Sequence, residues 1–257
     1  MDRWIRTVPA PKRTELLNEC WAFINKGLNS EERYNLIWDI WDKRRIRNYW
    51  IQSSNDCARS HGFFQILKEI KETPGDIVEC GIGRGVSLAA IVYAASSHQL
   101  KKRVVAFDSF AGFPAAKKAD VGLRVEKEGD IPEGWTGTSP ELIRCVFSND
   151  RRLGDSLLRS HDIELRIVPG FFESTLNDNL PDEIAFLHVD CDLYDSTRQV
   201  LESALPRISP GGVVIFDEYK DERWPGATRA VDELCSRHGL SIEYFEVTRR
   251  FGVRVAA

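Results

Sequence analysis

Paired cysteines, a basic excess and a long apolar run are all missing from this sequence, and each absence removes a class of protein. The six cysteines, Cys20, Cys57, Cys80, Cys145, Cys191 and Cys235, are scattered with no C-x-x-C pair. Neither a zinc site nor a disulfide framework is expected, and a reducing cytoplasm is the default setting. A formal net charge of -4 and a pI near 5.8 give no electrostatic ground for a nucleic-acid partner. The longest apolar stretch, Leu88 to Ala95, is far too short to insert across a membrane. The opening residues include Asp2, Arg3, Arg6, Lys12 and Arg13, unlike a signal peptide. Repeats and low-complexity tracts are absent as well. What remains is the expectation of a soluble cytoplasmic protein whose 257 residues, 42% of them hydrophobic, suit one large α/β domain with decoration.

The chain divides at about residue 74. Residues 1–74 read as an N-terminal helical extension. Asn29 and Glu32 make a capping pair, followed by Tyr34, Ile37, Trp38 and Trp41 at helical spacing. Lys43, Arg44, Arg45 and Arg47 read as a solvated helix end, and Trp38, Trp41 and Trp50 as packing residues. From Gly75 strands and helices alternate over residues 75–257. Strands are expected over 77–80, 103–107 and 163–168 and in the runs ending at Asp190 and Asp217. A helix is expected over 196–205, before a Pro210-Gly211-Gly212 turn. Segments 241–247 and 251–255 are joined by only three residues, which permits a hairpin and forbids a parallel crossover. A mostly parallel sheet with one antiparallel C-terminal strand is the pattern of class I methyltransferases rather than of nicotinamide-binding Rossmann domains. The polar segment 111–139, with Pro114, Gly122, Gly129, Pro132, Gly134 and Gly137, reads as a lid over a cofactor in preference to surface disorder.

Chemistry concentrates at four strand ends. Glu79-Cys80-Gly81-Ile82-Gly83-Arg84-Gly85 sits where a first strand meets a first helix, and glycines there let the backbone turn sharply and approach a ligand. The third glycine of a dinucleotide fingerprint is replaced by Val86, so the turn suits the methionine end of S-adenosylmethionine better than a pyrophosphate. Asp108 ends the second strand, where a carboxylate can accept ribose hydroxyls. Two further acidic groups close apolar runs: Asp190 after Ile184-Ala-Phe-Leu-His-Val, and Asp217-Glu218 after Gly212-Val-Val-Ile-Phe. Carboxylates brought together from two parallel strands repel one another unless a cation sits between them, and an all-oxygen set suits Mg²⁺ or Mn²⁺. Asp192 is either part of this set or a partner of the following turn. His188 shares a strand face with Asp190, either as a general base or as a donor that orients a ligand carboxylate; its mid-strand depth favours the second role.

Taken jointly, GDIVECGIGRGVS, VVAFDSFAGFP, GFFESTL, AFLHVDCDLYDST and PGGVVIFDEY followed by WPGATRAVDE resemble, in order and spacing, the macrocin and mycinamicin sugar O-methyltransferase family, from about Gly75 to Glu233. The resemblance implies a class I S-adenosylmethionine-dependent fold and a Mg²⁺ that chelates vicinal sugar hydroxyls. By position it implies metal ligands at Asp190, Asp217 and Glu218. Cofactor contacts would fall at Glu79, Gly81, Gly83, Ser87, Asp108 and Ser109, with Gly170 and Phe171 beside the adenine. The family commonly has Asp-Asp where this chain has Asp217-Glu218. The expectation is a homo-oligomeric O-methyltransferase acting on a sugar hydroxyl of a glycosylated natural product or surface-polysaccharide precursor, with Asp190 as proton acceptor. A nicotinamide-dependent oxidoreductase and a non-catalytic cofactor-binding module are the alternatives.

Overall fold

The computed structural model describes residues 54–135, 138–140, 143 and 163–256; the capping pair, tryptophans and basic run expected before residue 54 lie outside them. Helix α1 (Ser54–Glu69) precedes strand β1 (Asp76–Cys80), helix α2 (Val86–Ser97) and strand β2 (Val104–Asp108). Then come β3 (Leu165–Pro169), α3 (Phe172–Asn179), β4 (Ile184–Val189), α4 (Tyr194–Ala204), β5 (Ile208–Phe216), α5 (Pro225–Arg237), β6 (Glu243–Phe245) and β7 (Arg250–Arg254). They build one seven-stranded sheet of order β3-β2-β1-β4-β5-β7-β6. β1 to β5 run parallel, and β7 inserts antiparallel between β5 and β6. This is the class I methyltransferase arrangement, with the C-terminal hairpin where the short link demands it.

Each central strand is buried on both faces, which is why it reads as a continuous apolar run rather than an alternating one. Every residue of β4 is buried. Ile77, Phe186, Val213 and Ile215 face a core shared with α1 and α2, whereas Val78, Leu187, Val214 and Phe216 face a second core. That second core includes Leu176 of α3, Val200 and Leu201 of α4, and Val231 and Leu234 of α5. α2 is buried from Ser87 to Ser96, as a helix apolar all round must be. Its outer cover is α1, whose Phe63, Ile66 and Leu67 are essentially unexposed. α1 therefore belongs to the same core as the sheet, although it lies in the stretch read from sequence as an extension.

One stretch differs from its sequence reading. The Pro210-Gly211-Gly212 segment, expected as a turn, lies inside β5 as a bulge: pairing jumps from Ile184 with Ile208 to Phe186 with Val213. Pro210 has no N–H to donate and Gly211 adopts φ 81°, so these residues loop out while the flanking ladder continues. The polar segment after β2 is anchored rather than loose. Ala116 and Val125 form a small core with Leu193, Trp224 and Ala227. The Asp120 carboxylate accepts the backbone N–H groups of Tyr194 and Lys117, each at 2.7 Å. Helices α3 and α5 were outside the expected elements; α5 starts with Pro225, whose missing N–H costs nothing in a first turn. Among the described residues, the buried cysteines Cys80, Cys191 and Cys235 are free thiols, and no helix is long and apolar enough to cross a membrane.

Phe63 packs edge-on against Phe186, with ring centroids 5.5 Å apart, and against His188 at 4.8 Å. Phe63→Ala should cost about 3–5 kcal/mol, as for other buried aromatic truncations. Because α1 shares the core, urea unfolding followed by far-UV circular dichroism and by tryptophan fluorescence should shift as one coincident transition.

Candidate active site

The ends of β1, β2 and β4 meet at a single crossing of backbones. Gly81 follows β1 with φ 94°, and its N–H donates to the carbonyl of Phe107 at 2.9 Å. A Cβ at this position would stand 1.7 Å from the Asp190 carbonyl oxygen, so only glycine admits such proximity. The Asp190 N–H in turn donates to the Cys80 carbonyl at 2.9 Å. The glycine turn and the acidic end of β4 are thus locked side by side. Gly85 supplies the αL residue (φ 83°) that starts α2, which accounts for a glycine one position before the dinucleotide fingerprint would put it.

Asp108 holds this turn from the next strand. Its Oδ2 accepts the N–H groups of Ile82 and Gly83, both at 2.8 Å, and its Oδ1 accepts that of Phe110 at 2.7 Å. Charge-assisted bonds of this kind are the strong ones, so the carboxylate fixes the shape of the turn while facing the cavity. Ser109 caps the next turn, donating to the Gly112 carbonyl at 2.7 Å. Gly170, at φ 130°, donates its N–H to the Asp108 carbonyl at 2.9 Å. Phe171 beside it is a partly exposed aromatic. Trp135 lies across the turn, its ring 3.1 Å from where a Cβ of Gly83 would be.

A cavity of about 990 Å³ opens over these strand ends, large enough for a cofactor and an acceptor together. Gly81, Gly83, Ser87, Asp108, Ser109, Gly170 and Phe171 line it, and so do Asp190, Asp192, Asp217 and Glu218. Glu79 and His188 do not. Both are completely buried, and Nδ1 of His188 lies 2.9 Å from Oε1 of Glu79. His188 Nε2 lies 3.7 Å from Asp217 Oδ1 and has no hydrogen-bond partner among the described residues. The histidine therefore stands behind the acids, oriented by Glu79, and does not line the cavity. Asp192, left open between two roles, turns to the cavity with φ 60°, an uncommon value for a residue with a side chain.

The acids are held in a steep electrostatic environment. Burial raises the proton affinity of Asp190, and the neighbouring Asp217 charge adds to it, bringing its pKa to about 6. Burial and the Asp190 charge also push Asp192 and Glu218 well above the carboxylate range. For Asp217 burial acts upward, but Arg59, His188 and Arg250 outweigh it and hold the group well below its ordinary value. Burial opposes the charged form of His188, yet Asp217 and Glu79 overcome it and raise the group to about 9. Ligand atoms of His188, Asp190 and Asp217 come within 4.8 Å of one another. A crowded set of hard oxygens in which three carboxylates resist ionisation, with an orphaned buried nitrogen aimed at them, fits a divalent cation such as Mg²⁺.

Sequence reasoning missed Arg59. It comes from α1, is 7% exposed and lines the cavity. Its Nη1 donates to Asp217 Oδ1 at 2.6 Å and reaches Asp190 Oδ2 at 3.5 Å. Arg250 was missed as well; its Nε donates to the same Asp217 oxygen at 2.9 Å. Nothing in the local sequence marks either residue, since both act across long chain separations.

Comparison with known proteins agrees with this layout. Residues 59–251 match the Macrocin-O-methyltransferase (TylF) family. Mycinamicin III 3''-O-methyltransferase of Micromonospora griseorubida is 34% identical over 179 residues, covering 69% of this chain and 66% of its own length. The 8-demethyl-8-(2,3-dimethoxy-alpha-L-rhamnosyl)-tetracenomycin-C 4'-O-methyltransferase of Streptomyces olivaceus is 31% identical over 175 residues, covering 68% of this chain and 63% of its own length. The chain thus spans a little under two thirds of the length of these relatives. Among solved structures, the O-methyltransferase NovP superposes with a TM-score of 0.62 at 27% identity, covering 78% of this chain and 80% of that one.

Removing His188 would leave the Glu79 carboxylate buried without its partner, a loss of about 3–5 kcal/mol for broken interior pairs. His188→Ala should show that loss in chemical denaturation, and Glu79→Gln, which keeps a hydrogen-bonding group opposite the ring, should lose less.

Proposed function

The chain belongs to the macrocin O-methyltransferase family, and from that premise we propose that it is an S-adenosylmethionine-dependent O-methyltransferase acting on a sugar hydroxyl. The acceptor class is a glycosylated natural product or a surface-polysaccharide precursor, and the enzyme works in the cytoplasm as a homo-oligomer. The observation that carries the reading is that the glycine turn and the acidic ends of β4 and β5 line one cavity. A methyl donor on one wall would then face an acceptor hydroxyl on the other. Val86 in place of a third glycine and the antiparallel β7 argue against a nicotinamide cofactor. An acid cluster as costly as this argues against a module without chemistry.

The cofactor supplies a methyl group on a sulfonium. Gly81 and Gly83 would admit its methionine end to the backbone, Asp108 would serve the ribose, and Gly170 and Phe171 would flank the adenine. Transfer would join the acceptor oxygen to the methyl carbon with loss of the carbon–sulfur bond, and a carboxylate would take the hydroxyl proton. Asp190 and Asp192 face the cavity and His188 does not, so proton acceptance falls to a carboxylate at the end of β4, with Asp190 assigned the role. Asp190, Asp217 and Glu218 would hold a Mg²⁺ or Mn²⁺, which when bound acidifies and orients vicinal hydroxyls. Trp135 and the anchored segment after β2 exclude water from a step in which the charge of the sulfonium disappears. Holding both reactants in place is itself a large part of the rate.

Calorimetry should detect S-adenosylhomocysteine and not NAD⁺, and Asp108→Ala should weaken that binding by about 1.5–3 kcal/mol, the worth of hydrogen bonds to a charged group. Undiminished affinity in the variant would remove Asp108 from the cofactor site.

Methyl transfer to a sugar acceptor should stop in EDTA and return with Mg²⁺ or Mn²⁺. Asp190→Asn should fold normally and lose at least ~10²-fold in turnover, the contribution of one acid–base group. Excess metal should restore an Asp217→Asn variant better than an Asp190→Asn one, because a weakened ligand is recovered by mass action and a missing base is not. Full turnover in chelator would make the carboxylates structural. Full turnover in Asp190→Asn, with Asp192→Asn inactive, would move the base to Asp192.

A further inference from the structure

Asp217 Oδ1 is the meeting point of more positive charge than one carboxylate oxygen ordinarily receives. Arg59 Nη1 donates to it at 2.6 Å and Arg250 Nε at 2.9 Å. The Arg59 nitrogen also reaches Asp190 Oδ2, at 3.5 Å. It thus contacts the two carboxylates, from two different strands, that a divalent ion would bridge. We infer that Arg59 is a built-in counter-cation that holds the ion's place between Asp190 and Asp217 and is displaced when the ion binds. The inference rests on the proposal that these acids hold a divalent metal.

The fold delivers Arg59 there deliberately. Gly62, one turn further along α1, lies so close to the hairpin turn after β6 that a Cβ would stand 2.2 Å from the Thr248 side chain. Phe63 is wedged against Phe186 and His188. These contacts seat α1 over the ends of β4 and β5 and bring Arg59 beside Arg250, whose own strand follows Thr248. Two guanidinium groups on one oxygen repel each other, so the arrangement is sustained by the surplus of acids beneath it. Once a dication takes the oxygens, that surplus is gone and the nearer guanidinium loses its reason to stay. Arg250 touches Asp217 but not Asp190 among the described contacts, so it neutralises without bridging. Loading of the metal and the seating of α1 are thereby coupled: the helix is tightest on the sheet when the ion is absent.

The test is Mn²⁺ binding by isothermal titration calorimetry on the full chain, as wild type, Arg59→Gln and Arg250→Gln. Hydrogen exchange of the α1 peptides in the wild type, with and without Mn²⁺, accompanies it. Displacing a charge-assisted hydrogen bond should cost the ion about tenfold or more in affinity, so Arg59→Gln should bind Mn²⁺ tighter by that factor and Arg250→Gln by less. Exchange of α1 should speed up when Mn²⁺ is added. Mn²⁺ affinity in Arg59→Gln equal to or weaker than wild type overturns the inference, as does equal tightening in both variants, which would reflect net charge alone. Should Arg59→Gln fail to fold, the exchange measurement decides: α1 protected by Mn²⁺ makes Arg59 a supporter of the ion and ends the proposal. If no form binds Mn²⁺, the metal reading itself falls and takes this inference with it; wild-type binding without the predicted differences removes the inference alone.

Discussion

The crossing of Gly81 with the Asp190 carbonyl is the constraint on which the rest of the molecule depends. It joins the strand that carries the glycine turn to the strand that carries the acids, at a separation no side chain would permit. Parallel pairing of β1 with β4, ending at Cys80 opposite Val189, sets the two loops that follow in register. From there the turn bends one way into α2 and the Asp190 corner the other way into α4. The cavity lies in the cleft where the sheet's connections diverge, where open α/β sheets place their ligands. A residue larger than glycine at 81 would separate the two halves of the chemistry before it touched either.

Behind that crossing runs a buried chain of charge. Glu79 pairs with His188 across the β1–β4 ladder, His188 approaches Asp217, and Asp217 meets Arg59 and Arg250. Its members come from β1, β4, the end of β5, α1 and β7. Such a network is expensive to bury and gives little net stability on its own. What it supplies is placement: the imidazole cannot rotate, the Asp217 carboxylate cannot swing away, and the cavity-facing acids keep a fixed relation to the glycine turn. Rigidity of this kind is what holding reacting groups in place requires.

The parts legible in sequence were those encoded locally. Apolar runs gave β1, β2, β4 and β5 to within a few residues, because strands buried on both faces need uninterrupted hydrophobic side chains. The three-residue link at 248–250 gave the antiparallel hairpin. Strand-end position placed Asp108, Asp190, Asp217 and Glu218, since parallel strands deliver their C-terminal ends to one edge. By contrast, the Pro210-Gly211-Gly212 bulge read as a turn because the same residues serve both, and only pairing with β4 distinguishes them. The anchors of the segment after β2, Ala116, Asp120 and Val125, were not legible because their partners lie about seventy to a hundred residues away at the starts of α4 and α5.

Sequence alone therefore determined the order of the strands, the sheet class and the acids and glycines at the strand ends, all consequences of short-range pattern and chain connectivity. Tertiary structure alone decided which of these groups face the cavity. Glu79 and His188 lie within a few residues of the cavity-lining Gly81 and Asp190, yet direct opposition in the ladder turns their side chains to each other in the interior. Arg59 sits in a helix whose sequence shows nothing of catalysis, yet packing against β4 and the C-terminal hairpin brings it to Asp217, 158 residues away. Alternation along a strand and spacing along a helix are written in neighbours; which strand lies opposite, and which helix covers it, is settled only when the whole core closes.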